Sequence, residues 1–181
     1  MIQRRAILVT GAASGIGAAI CRTMAAADTA ILIHTRRNRE GAEAVAHHVR
    51  AAGGDADVAL GDLADPSVAA ALMETMMARF GRCDVLISNA GFADRTGFAE
   101  LTDAALTAST EAIQGAFFRL ARAALPVLQR ARDGRVIAVS SFVAHAFRTD
   151  MTIFPASAAA KAGLEALVRP WQSNWVQPAS R

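Results

Sequence analysis

Short apolar runs alternate along the chain with longer stretches whose apolar residues recur every three or four positions. The runs Ala6 to Thr10, Ala30 to His34, Ala56 to Leu60, Asp84 to Ser88 and Arg135 to Val139 predict strands, and each is followed by a helical pattern. Gly15 to Ala27, Arg39 to Ala52, Pro66 to Phe80 and Asp103 to Ala131 predict those helices. The punctuation between them agrees: Gly53-Gly54 stops the second helix, Asp65-Pro66 starts the third and Gly81 ends it. Repeated strand–helix units imply a parallel sheet covered by helices on both faces and joined by right-handed crossovers, a doubly wound α/β fold. At 181 residues and 53% hydrophobic content the chain suits one domain spanning 1–181, without an internal linker or repeat.

Composition narrows the setting. No apolar run approaches the ~20 residues of a membrane span, and the basic start Gln3-Arg4-Arg5 leads straight into a strand with no cleavable apolar segment. A cytoplasmic protein without a membrane partner is expected. Cys21 and Cys83 lie far apart and fit buried thiols in a reducing compartment better than a disulfide. The net charge of +3 is spread along the chain, which does not suggest a nucleic-acid-binding stripe, and no metal site is expected.

Ligands on such sheets sit beyond the carboxyl ends of the strands. The first strand end is the most informative, because Thr10-Gly11-Ala12-Ala13-Ser14-Gly15-Ile16-Gly17 turns from a strand into a helix. Glycine there permits positive φ and close approach of a ligand, and the first N–H groups of the helix face an anion. The later strand ends carry Thr35-Arg36-Arg37, Gly61-Asp62-Leu63, Ser88-Asn89-Ala90-Gly91 and Ser140-Ser141. In this order the chain resembles the short-chain dehydrogenase/reductase family from about Arg5 to about Arg169.

The resemblance implies a Rossmann-type sheet and hydride transfer between a nicotinamide cofactor and a small-molecule carbonyl or alcohol. It assigns Thr10, Gly11, Ser14, Gly15, Ile16 and Gly17 to the cofactor pyrophosphate, Asp62 and Leu63 to the adenine, and Asn89, Ala90 and Gly91 to the segment after the fourth strand. Enzymes using NAD place a carboxylate at the end of the second strand; here Thr35 stands there, followed by Arg36 and Arg37, guanidiniums suited to a 2′-phosphate. NADP(H) is therefore expected over NAD(H). For catalysis the resemblance gives Ser141, beside Ser140, and Lys161, which also binds ribose. The family's tyrosine position is Ser157, and the chain has no tyrosine. The position of the family's relay asparagine is Ala112. A serine hydroxyl is a poor general acid at neutral pH, so carbonyl reduction is expected to be impaired, with a nucleotide-binding protein lacking turnover, or a non-functional remnant, as alternatives. The loop Phe142 to Ala156 offers His145, Arg148 and Asp150, and His145 is a candidate substitute acid.

Two expectations concern the rest of the chain. Family members run on past the lysine helix, whereas 170–181 changes character and holds both tryptophans. Codons permitted for this stretch, read one base out of frame, spell Ala-Leu-Ala-Val-Glu-Leu-Gly-Pro-Ala-Gly-Ile-Arg, as the family usually continues; 170–181 is expected to be an out-of-frame tail on a sheet lacking its final strands. The other reading is a short variant with its own tail. The family resemblance also implies a homodimer or homotetramer, and Ile113, Phe117, Leu120 and Leu125 suggest pairing through the long helix.

Overall fold

A computed structural model describes residues 4–146, 148, 150, 152 and 154–171. Five parallel strands, β1 Arg5–Val9, β2 Thr29–Thr35, β3 Asp55–Leu60, β4 Val85–Ser88 and β5 Arg135–Ala138, lie in the order β3-β2-β1-β4-β5. The helices are α1 Gly15–Thr23, α2 Arg39–Ala51, α3 Pro66–Phe80, α4 Asp103–Thr110, α5 Ala116–Leu128 and α6 Pro155–Trp171. The order reverses between β1 and β4, which opens a crevice beyond their carboxyl ends.

Side chains alternate across the sheet and build two cores. Leu8, Leu32 and Leu86 face α3 and α5, where they meet Leu72, Met76, Leu120 and Leu128. Ile7, Ile31, Ile33 and Ile87 face α1 and α2, against Ala18, Cys21, Val45 and Val49. Each such side chain contributes about 1.5–3 kcal/mol on burial, so the three central strands hold the crevice walls rigidly. Burial pushes the Cys21 and Cys83 thiols up to about 12, and both are free.

Two helices differ from expectation. Helix α1 stops at Thr23 rather than Ala27, because the Thr29 hydroxyl accepts from Ala26 N–H (3.1 Å) and donates to its carbonyl (2.9 Å), fixing a turn. The long fourth helix is interrupted by a π-helical turn at Glu111–Gly115. Ile113, Phe117 and Leu120, expected to reach a second copy, are at most 1% exposed within their own chain. The first two pack on Ala160 and Leu164 of α6, the helix that carries Lys161, and Leu120 packs under the sheet. The expected out-of-frame tail, 170–181, lies outside the described residues from 172 onward. Among the described residues, no helix is long and apolar enough to cross a membrane.

Candidate functional site

The glycine turn is shaped by three different constraints. Gly11 has φ +64°, and a Cβ there would lie 2.9 Å from the Ala90 Cα. Gly17 seats α1 on the turn, since a Cβ would fall 2.5 Å from the Gly11 carbonyl oxygen and 2.7 Å from Asn89 Nδ2. Gly15 has φ +55°, yet a Cβ there would meet nothing within 4 Å; it would project into the open crevice. The Ser14 hydroxyl does not cap α1, and the first helical bond runs from Ala18 N–H to the Ser14 carbonyl at 3.2 Å. The N–H groups of Gly15, Ile16 and Gly17 thus have no intrahelical partner at the positive end of a helix, an arrangement suited to an anion.

Thr10 and Asn89 fasten this turn to β4. The buried Thr10 hydroxyl accepts from Asn89 N–H and Ala90 N–H, both at 3.0 Å, while Asn89 Nδ2 donates to the carbonyls of Thr10 (3.0 Å) and Gly11 (3.2 Å). Thr10 and Gly17 therefore act from beneath and line neither cavity of the crevice, and neither does Arg37.

One cavity, of about 670 Å³, gathers Gly11, Ser14, Thr35, Arg36, Asp62, Leu63, Asn89, Ala90, Gly91 and Ala112. Arg36 faces Asp62 at 3.8 Å, both largely exposed, a pair of little energetic weight. His34 also lines it: Nε2 meets the Gly61 carbonyl at 2.9 Å, Nδ1 has no partner, and burial lowers its pKa. Arg119 was not singled out by sequence. From α5 it donates Nη1 to Glu111 (2.7 Å) and Nη2 to the carbonyls of Leu63 (2.8 Å) and Glu111 (3.0 Å), tying the loop after β3 to the π turn that carries Ala112.

The neighbouring cavity, about 420 Å³, holds Ser140, Ser141, Ser157, Lys161, Gly15 and Ile16. Lys161 donates to the Val139 carbonyl at 2.5 Å, and burial lowers its pKa. The two serines differ. Ser140 donates to Glu165, whereas the Ser141 hydroxyl has no partner among the described residues. Ser157 is 5% exposed and fully engaged: it accepts from Asp94 N–H at 2.9 Å and donates to the Phe92 carbonyl at 3.4 Å. Its hydroxyl ties the loop after β4 to α6 while the residue lines the cavity beside Lys161. His145 does not line this cavity. Its Nε2 meets Glu165 at 2.9 Å, and it lines a separate outer cavity with Arg148. Ser140, then His145, hold the Glu165 carboxyl below its ordinary pKa. Glu165 was missed although Ser157, Lys161 and Glu165 stand four apart on one helical face, a spacing that could have revealed it. A further cavity, about 710 Å³, lies at the opposite end of the sheet, among Arg4, Arg82 and Arg132, and contains none of the strand-end motifs.

A family model described as short chain dehydrogenase matches residues 5–178, past the Arg169 limit read from the motifs. The chain belongs to the short-chain dehydrogenase family. It is 32% identical over 157 residues to the 3-oxoacyl-(acyl-carrier-protein) reductase of Escherichia coli, covering 87% of this chain and 62% of that protein. It is 36% identical over 166 residues to the cis-4-hydroxycyclohexanecarboxylate dehydrogenase of Sinomonas cyclohexanicum, covering 91% and 65%. The chain thus spans less than two thirds of the length of either relative. Among solved structures it is similar to a short-chain dehydrogenase from Burkholderia cenocepacia in complex with NADP, with a TM-score of 0.85, 29% identity and coverage of 96% and 71%. A metagenomic short-chain oxidoreductase in complex with NADP gives a TM-score of 0.82 and 32% identity, covering 93% of this chain and 75% of that one. The short-chain dehydrogenase fold accounts for the parallel sheet and for the crevice at its switch point.

Proposed function

We propose that this chain is a nicotinamide-dinucleotide-dependent oxidoreductase of the short-chain type, preferring NADP(H), acting on a carbonyl or alcohol and impaired in proton donation. The observation that carries the nucleotide site is the uncapped glycine turn with open space where a Gly15 Cβ would stand. A side chain would fill this cradle; a pyrophosphate suits it. Gly11, Ser14, Gly15 and Ile16 would hold the pyrophosphate, Asp62 and Leu63 the adenine, and Asn89, Ala90, Gly91 and Lys161 the nicotinamide half. Arg36 would meet a 2′-phosphate, with no carboxylate at Thr35 to repel it. The bound dinucleotide would supply or accept hydride.

This chain's own residues define the remainder. The free Ser141 hydroxyl orients a carbonyl oxygen, and the Lys161 ammonium adds positive charge beside it. Ser157 is a poor proton donor, because a serine hydroxyl has a pKa far above that of a phenol and this one lies 3.4 Å from the Phe92 carbonyl. That engagement also favours the second reading, nucleotide binding without turnover. The test is titration with NADPH and NADH. Arg36→Ala loses a charge-assisted contact of about 1.5–3 kcal/mol and weakens NADPH alone. Equal affinity of the unmodified chain for both nucleotides refutes the preference.

A further inference from the structure

We infer that the crevice takes an uncharged, ring-bearing carbonyl or alcohol, with its oxygen at Ser141 and its apolar body on a wall of phenylalanines; this rests on the oxidoreductase reading above. The cavity around Ser141 and an outer cavity of about 410 Å³ share Phe142, Val143 and Phe154 in their walls. Of the chain's eight phenylalanines, Phe92, Phe98, Phe142 and Phe154 line this pair. Phe98 is 80% exposed, Phe142 54% and Phe92 46%. Aromatic area gathered at one mouth and left open by folding marks a place where something apolar binds.

The polar groups define the rest of the ligand. Among the described residues, His145 and Arg148 are the basic side chains lining the outer cavity, and both have partners: Glu165 lies 2.9 Å from His145, and Asp150 accepts two bonds of 2.9 and 2.6 Å from Arg148. A carboxylate or phosphate on the substrate would have to displace a carboxylate already in place. At the inner end Ser140 and Ser157 are engaged, whereas the Ser141 hydroxyl has no partner among the described residues; the fourth serine of this cavity, Ser14, stands on the glycine turn assigned to the nucleotide. The match is one oxygen function on an otherwise apolar body. Rings suit the wall better than a flexible acyl chain, which loses more rotor freedom when bound.

The probe is 1-tetralone, with dihydroxyacetone as a compact polar control, each titrated by ligand-observed NMR onto the full chain with and without NADPH. Tetralone is expected to bind at least tenfold more tightly than the control. Phe142→Ala and Phe98→Ala, both at positions more than half exposed, are each expected to weaken it about tenfold. Phe118→Ala, on the outer surface of α5, leaves tetralone affinity unchanged. NADPH affinity, read from its own fluorescence in each sample, reports failure of the nucleotide reading separately. The inference is overturned if the two ketones bind alike or if the variants keep tetralone affinity. It is also overturned if sedimentation shows the Phe98 or Phe142 variant breaking a self-associated chain into monomers, which makes the wall a contact between copies.

Discussion

Replacing Ser157 by Ala separates a structural hydroxyl from a catalytic one. In the folded chain this hydroxyl closes two bonds across 63 and 65 residues, from Asp94 N–H and to the Phe92 carbonyl. Alanine leaves that N–H and that carbonyl without their partner in a site 5% exposed. A deserted buried polar group costs about 1–3 kcal/mol. Asp94 is itself only half-buried and can recruit water, so the lower part of that range applies, about 1–2 kcal/mol. For a chain of this size 1 kcal/mol shifts the Tm by about 2–4 °C, so the variant should melt roughly 2–8 °C lower. Amide exchange should quicken at Asp94 and Thr96, whose N–H is held by the Asp94 carboxylate at 2.8 Å. Turnover with NADPH and a ketone, however slow, should stay within a few-fold of the unmodified chain. The reasoning is refuted if Ser157→Ala melts unchanged while turnover falls by the ~10²–10⁴-fold expected on loss of a general acid.

Three other expectations follow from the same geometry. Gly17→Ala drives a Cβ to 2.5 Å from the Gly11 carbonyl and should destabilise the fold by about 1–3 kcal/mol in a chemical melt, whereas Gly15→Ala meets no neighbour, carries about 1–2 kcal/mol of strain at its positive φ and should in addition weaken nucleotide binding. His34 is held neutral by burial, its folded pKa lying below its ordinary 6.5. The unfolded chain therefore binds the extra proton first, so stability is complete above about pH 6.5 and declines as pH falls toward the folded value; His34→Gln should flatten that part of the profile in melts across pH. Arg119→Ala removes the bond to the Leu63 carbonyl and leaves Glu111 unpaired, and should weaken 2′,5′-ADP and NADPH by the same factor in calorimetry. Arg119→Lys, which keeps charge but not the fork, should recover little of it.

Much of this was legible in the sequence because it depends on local rules. Strand runs and glycine punctuation located all five strands to within a residue or two, and Pro66–Phe80 in full, since Asp65 caps its start and Gly81 closes its end in the left-handed conformation. The strand-end motifs converge because a doubly wound sheet brings every strand's carboxyl end to one edge. What escaped depends on partners far along the chain. Nothing local distinguishes Ser140 from Ser141; the difference is Glu165, 25 residues on. Nothing near Arg119 predicts that it will hold the Leu63 carbonyl, 56 residues back. The π turn at Glu111–Gly115 adds a residue to the helix and shifts the spacing on which side-chain pairs are read.

The same distinction explains how a binding cleft and its proton donor can be decoupled. The nucleotide end is built largely from backbone: positive φ at Gly11 and Gly15, free N–H groups at the start of α1, and carbonyls clamped by Asn89. Such a surface survives substitution of most side chains around it. Proton transfer instead hangs on one side-chain atom at the correct place. A phenol ring would carry its hydroxyl several ångströms beyond the position of Ser157 Oγ, whereas the serine hydroxyl bonds to the Phe92–Asp94 backbone. Ser157→Tyr must therefore do two things at once: release those two backbone groups to solvent or to each other, and project the new hydroxyl toward Ser141 and Lys161. We expect unchanged NADPH affinity, a lower melting temperature and faster ketone reduction, with a pH profile that acquires a phenolic limb above neutrality. A tyrosine variant that binds NADPH as before and reduces ketone no faster would show that Ser141 and Lys161 are not aligned for catalysis, and would leave nucleotide binding without turnover as the function of the cleft.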